Sequence, residues 1–431
     1  MTAVIQAGGH GMRLRELTHD KIPKPLFPID GIPIIKRQID TLAREGISEF
    51  IIITGHLGDM IERFVGDGKS FGAKLRFFRE SIPLGSGGAL PAVADMIGHD
   101  DCLLINGDLV FDFYLERMIR FHNEKKAEIT LFAHPNTHPH DSDLLKTDKS
   151  GRVMSIDFKN NIREYWYENL INAGTAIINP RVLRGFPRNA ELNFEHDIVR
   201  ELTASGSAIY AYRSPEYVRD AGTPDRLREA ERDIISGLTA ARNLRNKQKA
   251  IFSDRDGTIN KDAGLLYKED QFELSDGASE AIRIINNSGY LALCVTNQSV
   301  VARGLCTEDD VRCIHNKMET LLGERGAYLD GVAFCPHHPD KGYPEERPEY
   351  KIRCDCRKPG VGMITDFARR FNIDLSESWM VGDTETDMQC GVNAGLHTCL
   401  IGNAPCRIKA DIKCVDLLDA VQKIIDQSRS K

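Results

Sequence analysis

Short apolar runs recur along the chain, and each stops at a glycine or a polar residue. Residues 3–6, 50–54, 75–78 and 102–106 have this form and read as buried strands. Longer stretches between them repeat apolar positions at helical spacing, so the first half predicts a parallel sheet covered by helices. The same rhythm restarts at 250–253 and continues through 291–296, 332–334 and 379–382, with amphipathic stretches near 277–287 and 307–322. Residues 234–249 separate the two sets and are polar and basic after Gly237. The domain boundary is placed there, giving domains at 1–238 and 249–431. The charges of Arg242, Arg245, Lys247 and Lys249 read as those of a solvated connector. The halves share strand-helix alternation but no motif, so there is no internal repeat.

Composition agrees with two cores. A chain of 431 residues exceeds one ordinary core, and 41% hydrophobic content is ample for burial in two. A formal net charge of -7 and a pI near 6.0 offer no general attraction to nucleic acid or to an anionic membrane. Phosphate binding is therefore expected to be local, with small anionic substrates as partners. The start of the chain carries no basic leader, and no run of about 18 apolar residues occurs, so a soluble cytoplasmic protein is expected. Ten of the eleven cysteines lie after residue 290. In so large a chain, reduced thiols with a few metal ligands are expected instead of a disulfide framework. The oligomeric state is not legible.

Two segments carry candidate chemistry. In the first half, Gly8, Gly9 and Gly11 follow the first strand, where missing side chains let backbone N–H groups close around phosphates. The loop lacks the Gly-Lys-Ser/Thr ending of a P-loop, and no acid is clearly placed for a dinucleotide site. Arg13 beside the loop and Lys24 between Pro23 and Pro25 add positive charge where a pyrophosphate leaving group would develop.

The stretch from Ile5 to Leu26 resembles the sugar-1-phosphate nucleotidyltransferases, and the resemblance extends over the amino-terminal domain. It implies a Rossmann-like, GT-A-like sheet. It also implies a base-contacting loop at Leu84, Gly85, Ser86, Gly87 and Gly88, and Mg²⁺ held by Asp108 and Asp220. Lys159, Asn172, Gly174 and Glu195 correspond to positions that hold the sugar phosphate. Met12 stands where the family usually has threonine, which removes a hydroxyl but keeps a backbone donor. The implied reaction is attack of a sugar 1-phosphate oxygen on the α-phosphorus of a nucleoside triphosphate, driven by positioning and charge neutralisation.

In the second half, Asp254 and Asp256 are spaced i, i+2 at the end of a strand, so both point the same way. Asp254 can attack phosphorus and carry it as an acyl phosphate, while Asp256 protonates the leaving alkoxide and later activates water. Further on, Cys335-x-His337 and Cys354-x-Cys356 offer three sulfurs and an imidazole, a closed tetrahedral set suited to structural Zn²⁺. His338 is an alternative ligand to His337 on residue type alone.

This half resembles the haloacid-dehalogenase-like phosphatases, and within them the heptose 1,7-bisphosphate and histidinol phosphatases. The likeness rests on Asp254-Arg255-Asp256-Gly257-Thr258, Thr296-Asn297-Gln298-Ser299, Cys335-Pro336-His337-His338-Pro339 and Cys356-Arg357-Lys358-Pro359. It implies a Rossmannoid domain with a zinc loop and favours His337 as the ligand. Thr296 and Asn297 are implied on the phosphoryl group, and Lys358 on the aspartate-phosphate charge. Arg357 and Arg303 would contact substrate, and Mg²⁺ would sit on Asp254, Asp383 and the backbone carbonyl of Asp256. Asp387 is expected to order the last loop. Val300 and Thr384 stand where a glycine and a lysine are common.

Joined, the halves imply consecutive steps. Removal of the 7-phosphate of heptose 1,7-bisphosphate gives heptose 1-phosphate, which the first half would couple to a nucleotide, GTP being the first choice, for cell-surface polysaccharide such as lipopolysaccharide. Two alternatives stay open: unrelated substrates for the two halves, such as a hexose 1-phosphate and histidinol phosphate, or one half serving as a non-catalytic module.

Overall fold

The computed structural model describes residues 1–9 and 11–429, and these divide into two compact units. The first comprises Met1–His134, Leu145–Asp157 and Asn172–Asn243. The second comprises Pro135–Leu144, Phe158–Ile171 and Leu244–Lys431. The second unit thus recruits two pieces of chain from before the connector.

Among the described residues, the first unit holds a nine-stranded sheet. At its centre β1 (Thr2–Gln6) pairs in parallel with β2 (Glu49–Thr54) on one side and β4 (Cys102–Asn106) on the other, and β3 (Lys74–Arg79) lies outside β2. The central strands are buried on both faces, which explains their unbroken apolar runs. β6 (Ile171–Ile178) runs antiparallel to β4. The chain order reverses at β1, so a crevice opens beyond the carboxyl ends of β1, β2 and β4. A two-stranded ribbon of β5 (Leu109–Asp112) and β7 (Tyr217–Asp220) closes one side of it. Helix α1 (Ile34–Arg44) buries Ile34, Ile35, Ile39 and Leu42 at three- and four-residue spacing. On the same face Gln38 is buried, and its amide donates to the carbonyls of Asn106 and Leu109 at 3.0 and 2.8 Å. That fixes the turn carrying Asp108.

Among its described residues the second unit is built on six parallel strands: β8 (Lys249–Ser253), β9 (Tyr290–Asn297), β10 (Gly331–Cys335), β11 (Trp379–Gly382), β12 (His397–Ile401) and β13 (Ile412–Cys414). Their spatial order is β10-β9-β8-β11-β12-β13. β8 is again the point where the chain order reverses, so Asp254 emerges at the switch. Helices α3 (Ala278–Asn286) and α7 (Leu417–Arg429) pack their apolar faces into one core with the sheet. Helix α4 (Glu308–Gly323) opens with a capping box in which Thr307 and Asp310 satisfy each other's backbone N–H. Helix α6 (Glu385–Ala394) opens the same way from Thr384 and Asp387, so Thr384 serves as a cap.

The piece 158–171 is held in this second unit by buried hydrogen bonds to α4, and 135–144 is tied to it through Asn136 and Asn169. Tyr167 N–H donates to Thr320 Oγ1 at 3.0 Å and Asn169 N–H to Glu319 Oε2 at 2.9 Å. Pro139 sits where a side chain on Gly323 would stand.

The connector departs from a solvated linker. Residues 238–241 form a short helix, Arg242 is only 5% exposed, and Leu244 is buried. Asn243 donates to Asp112 at 2.6 Å, and Asn372 donates to the carbonyls of Leu244 and Asn246. Lys249 starts β8 and pairs with Glu377 at 2.8 Å. Arg245 and Lys247 are exposed, as a solvated connector requires, and it is Arg242 and Lys249 that depart from it.

Candidate active sites

At the carboxyl edge of the first sheet lies a cavity of about 460 Å³, lined by Gly8, Gly9, Gly11, Met12, Arg13 and Lys24 together with Glu80, Gly85, Ser86 and Asp108. A side chain on Gly8 would stand 2.6 Å from Glu80 Oε2, and Gly11 has φ 62°, in the left-handed region. Arg13 and Lys24 converge over Gly222: a side chain there would lie 3.2 Å from each, and 2.7 Å from Asp220 Oδ1. Lys24 pairs with Asp108. Asp220 accepts from Arg226 Nη1 at 2.8 and 3.0 Å and from Gly222 N–H at 3.0 Å. Burial alone would raise the Asp220 carboxyl, but Arg226 and these hydrogen bonds outweigh it and hold it below the usual range. Ala221 N–H donates to the Asp108 carbonyl at 2.8 Å, which ties the two aspartate-bearing strand ends together. Two carboxylates beside two cations make a site for a polyanion bridged by a divalent ion. The Met12 side chain is 65% exposed.

Not every expected position lies on this cavity. Gly87 packs against the backbone of Asn193 and Phe194 and does not line it, so Leu84, Gly85 and Ser86 are the loop residues that line the cavity. Asn172 donates to Glu195 at 2.8 Å, and a side chain on Gly174 would strike Asn106 Nδ2 at 2.6 Å, so these three sit around one corner of the first unit. Lys159 belongs to the second unit, where its N–H donates to Asp143 at 2.8 Å and its ammonium lies 3.6 Å from Asp141.

In the second unit Asp254 follows β8 directly, and its carboxylate lies 2.8 Å from Lys358 Nζ. The same ammonium lies 2.6 Å from Asp387. Burial and then the charge of Asp387 push Asp254 up to about 7, against the opposing pull of Lys358. Asp383 is pushed to about 6 by burial and by Asp387. Burial would lower the Lys358 ammonium, but Asp254 and Asp387 hold it raised. Asp254, Asp383 and Asp387 converge closely enough to share a cation, and Asp383 Oδ1 is buried without a hydrogen-bond partner. That orphaned oxygen fits a metal ligand. Gly257, at φ 73°, leaves the room: a side chain would stand 2.2 Å from Asp383 Oδ2. Asp387 therefore does more than order a loop, since it also neutralises Lys358.

Asp256 is caged. Arg255 Nη2 donates to its two oxygens at 2.8 and 2.9 Å, Gln298 Nε2 to Oδ2 at 2.9 Å and Asn260 Nδ2 to Oδ1 at 3.1 Å. Arg255 is fully buried and also reaches Gln298 Oε1 at 2.9 Å and His315 Nε2 at 3.2 Å. Burial and then the Arg255 charge hold the His315 imidazole well below its ordinary pKa, so its Nε2 accepts. Gln298 donates as well to Thr296 Oγ1 at 2.9 Å. Asn297 differs from expectation. Both ends of its amide engage the Lys358 backbone, at 3.0 and 2.9 Å, so the side chain positions the lysine and does not face a phosphoryl group. Val300 is buried in an apolar cluster with Val301, Cys306 and Val311 under the loop that carries Arg303. Arg303 lies 4.4 Å from the Tyr343 ring centroid, and Arg357 donates to the His337 carbonyl at 3.1 Å.

Cys335, His337, Cys354 and Cys356 come together. Sulfur-sulfur separations run from 3.2 to 3.5 Å, and His337 Nδ1 lies 3.6 Å from Cys335 Sγ and 3.4 Å from Cys356 Sγ. Three thiols and an imidazole at these spacings form a closed set for a tetrahedral ion. His338 is separate, its Nδ1 accepting from Asp340 N–H at 3.2 Å. Gln38, Gln298, Asn260 and His315 escaped the sequence reading. Gln38, Gln298 and His315 act through residues far along the chain, although Gln298 stands in a motif already singled out, and Asn260 reaches Asp256 four residues away through a turn that no pattern marks.

Comparison with known proteins matches residues 2–237 to the nucleotidyl transferase family and residues 355–409 to the HAD-hydrolase-like family. The D-glycero-beta-D-manno-heptose-1,7-bisphosphate 7-phosphatase of Photorhabdus laumondii subsp. laumondii is 44% identical over 149 residues, 35% of this chain and 77% of that protein. That of Haemophilus ducreyi is 38% identical over 181 residues, 40% of this chain and 97% of that protein. The crystal structure of HddC from Yersinia pseudotuberculosis aligns at 25% identity over 54% of this chain and 99% of that one, with a TM-score of 0.47. No helix among the described residues is long and apolar enough to cross a membrane.

Proposed function

From a chain that belongs to the nucleotidyl transferase family in its first half and to the heptose-1,7-bisphosphate 7-phosphatases in its second, we propose one enzyme with two consecutive reactions. It removes the 7-phosphate of D-glycero-D-manno-heptose 1,7-bisphosphate and transfers a nucleotidyl group, GMP from GTP, to the heptose 1-phosphate that results. The observation that carries this is the Asp254–Lys358 pair at 2.8 Å with caged Asp256 two residues on, in one chain with the cavity of Arg13, Lys24 and Asp108. The product class of the first chemistry is the acceptor class of the second.

In the phosphatase half, a carboxylate oxygen of Asp254 attacks the 7-phosphorus while the sugar C7 oxygen leaves with a proton from Asp256. Water then attacks the aspartyl phosphate and gives a proton to Asp256, releasing inorganic phosphate and restoring Asp254. Lys358 holds the Asp254 carboxylate, Asn297 holds Lys358, and Arg303 and Arg357 serve the substrate. Asp254, Asp383 and the Asp256 backbone carbonyl would hold Mg²⁺, which would supply neutralisation of phosphoryl charge. In the nucleotidyltransferase half, a phosphate oxygen of the sugar displaces pyrophosphate from the α-phosphorus. Arg13 and Lys24 receive the leaving group's charge, Gly8, Gly9 and Gly11 admit the phosphates, and Asp108 and Asp220 would hold Mg²⁺. Asn172, Gly174 and Glu195 are assigned to the sugar phosphate. Cys335, His337, Cys354 and Cys356 would hold a structural Zn²⁺, which leaves no position for water.

The test is ³¹P NMR of the protein with heptose 1,7-bisphosphate and Mg²⁺, with GTP, ATP, CTP and UTP in separate runs. Loss of the 7-phosphate resonance followed by a coupled pyrophosphate pair supports both steps. Phosphate release with no nucleotide product from any triphosphate overturns the coupling of the two.

A further inference from the structure

Asp256 is held by a side chain that is itself buried and charged, and a histidine stands behind it. Arg255 is fully buried. Its Nε and Nη2 turn to Asp256, at 3.1, 2.8 and 2.9 Å, and Nη2 also reaches Gln298 Oε1 at 2.9 Å. Nη1 turns the other way and meets His315 Nε2 on α4 at 3.2 Å. His315 shares its helix face with the buried Val311, Ile314, Met318 and Leu322, and its ring meets Phe334 edge-on at 5.4 Å between centroids. Packing alone would fill that place with an aliphatic side chain. A polar ring there costs desolvation, which the hydrogen bond from Arg255 offsets.

In the proposed reaction Asp256 gives a proton to the leaving C7 oxygen and takes one from water, so it alternates between carboxylic acid and carboxylate. As a carboxylate it compensates the Arg255 charge. As an acid it does not, and the buried guanidinium is left with neutral acceptors, Gln298 Oε1 and His315 Nε2. Gln298 also donates to Asp256 Oδ2 at 2.9 Å, so its amide feels the proton directly. His315 bonds Arg255 and not Asp256, so its hold is the same in both states. Burial and then the Arg255 charge keep the imidazole neutral, with a lone pair free on Nε2 to accept. We infer that His315 is a positioning residue of the phosphatase reaction, anchoring the far side of the Arg255 guanidinium so that Asp256 stays aimed at the leaving oxygen through both proton transfers. This deepens the proposed function and rests on its phosphatase reading.

Steady-state kinetics of the full chain with Mg²⁺ test the assignment on phenyl phosphate, p-nitrophenyl phosphate and heptose 1,7-bisphosphate. Phenolate and the sugar alkoxide need a proton as they leave, and p-nitrophenolate hardly does. His315→Phe keeps a flat ring and removes the acceptor. It is expected to lower kcat about tenfold to hundredfold on phenyl phosphate and on the heptose, and less than about threefold on p-nitrophenyl phosphate, with KM little changed. His315→Leu removes the acceptor in a smaller side chain and should show the same split. His315→Gln, whose Oε1 can accept from Nη1, should restore most of the loss. Equal losses on the two aryl phosphates overturn the assignment, and so does His315→Gln no more active than His315→Phe. Full activity of His315→Phe and His315→Leu on phenyl phosphate overturns it as well. If the heptose is not turned over but the aryl phosphates show the split, the sugar reading falls and the role of His315 stands. If the unaltered protein hydrolyses none of the three, the phosphatase reading falls and the role of His315 falls with it.

Discussion

Asp256 illustrates how a residue gets a role from its neighbours. Three side chains grip its carboxylate, and Gln298 also holds the Thr296 hydroxyl, so one amide sets the relative positions of two groups in the proposed site. Gln298→Leu should therefore impair proton delivery more than attack on phosphorus. The expected result is a loss of about 10²-fold in kcat/KM for an alkyl phosphate, which needs a proton on its leaving oxygen, and a much smaller loss for p-nitrophenyl phosphate. Equal losses on both would reduce Gln298 to a packing role. The three clustered carboxylates predict a pH effect. With Asp254 pushed to about 7 and Asp383 to about 6, protons compete with a divalent ion, so Mg²⁺ affinity should weaken as pH falls from 8 to 6. The sign for folding runs the other way. Between the unfolded aspartate range and about 7 the ion-free fold binds more protons than the unfolded chain, so this contribution to stability is lost as pH rises. Titration of Mg²⁺ at pH 6 and 8, in buffers of different ionisation enthalpy, should show proton release on binding. An affinity independent of pH would contradict it.

At the scale of elements, the parallel strands bring distant motifs to one edge. β8, β9 and β11 end beside one another, which is why Asp254, Thr296 and Asp383 meet although the sequence separates them widely. Helix α4 contributes on successive turns. His315 meets Arg255, while Glu319 and Thr320 anchor the recruited piece 158–171. Glu319→Ala would leave the buried Asn169 N–H without its acceptor, at a cost of about 1–3 kcal/mol. Thermal unfolding should show the second unit melting earlier, and an unchanged transition would mean that water replaces the lost acceptor.

For the whole molecule, the composition of the second unit has a practical consequence. A fragment spanning 244–431 omits 135–144 and 158–171, and so bares the buried groups of α4 that those pieces cover. Its melting temperature should fall below that of the second unit in the intact chain, by scanning calorimetry at equal Mg²⁺ and Zn²⁺. Matching transitions would show that the recruited pieces add nothing to stability.

Local patterns along the chain were enough to mark the two α/β halves, their central strands, the glycine loop with Arg13 and Lys24, and the clusters around Asp254, Cys335 and Lys358. These were legible because strand periodicity, glycine and metal-ligand chemistry act over short spacings. Only folding shows that 135–144 and 158–171 join the second unit, that Arg242 is buried, that Asn297 holds Lys358, and that Glu80 lines the cavity of the first unit. Each depends on a partner far away in the chain, and no local pattern encodes which of many polar residues a folded backbone will bring into hydrogen-bond range.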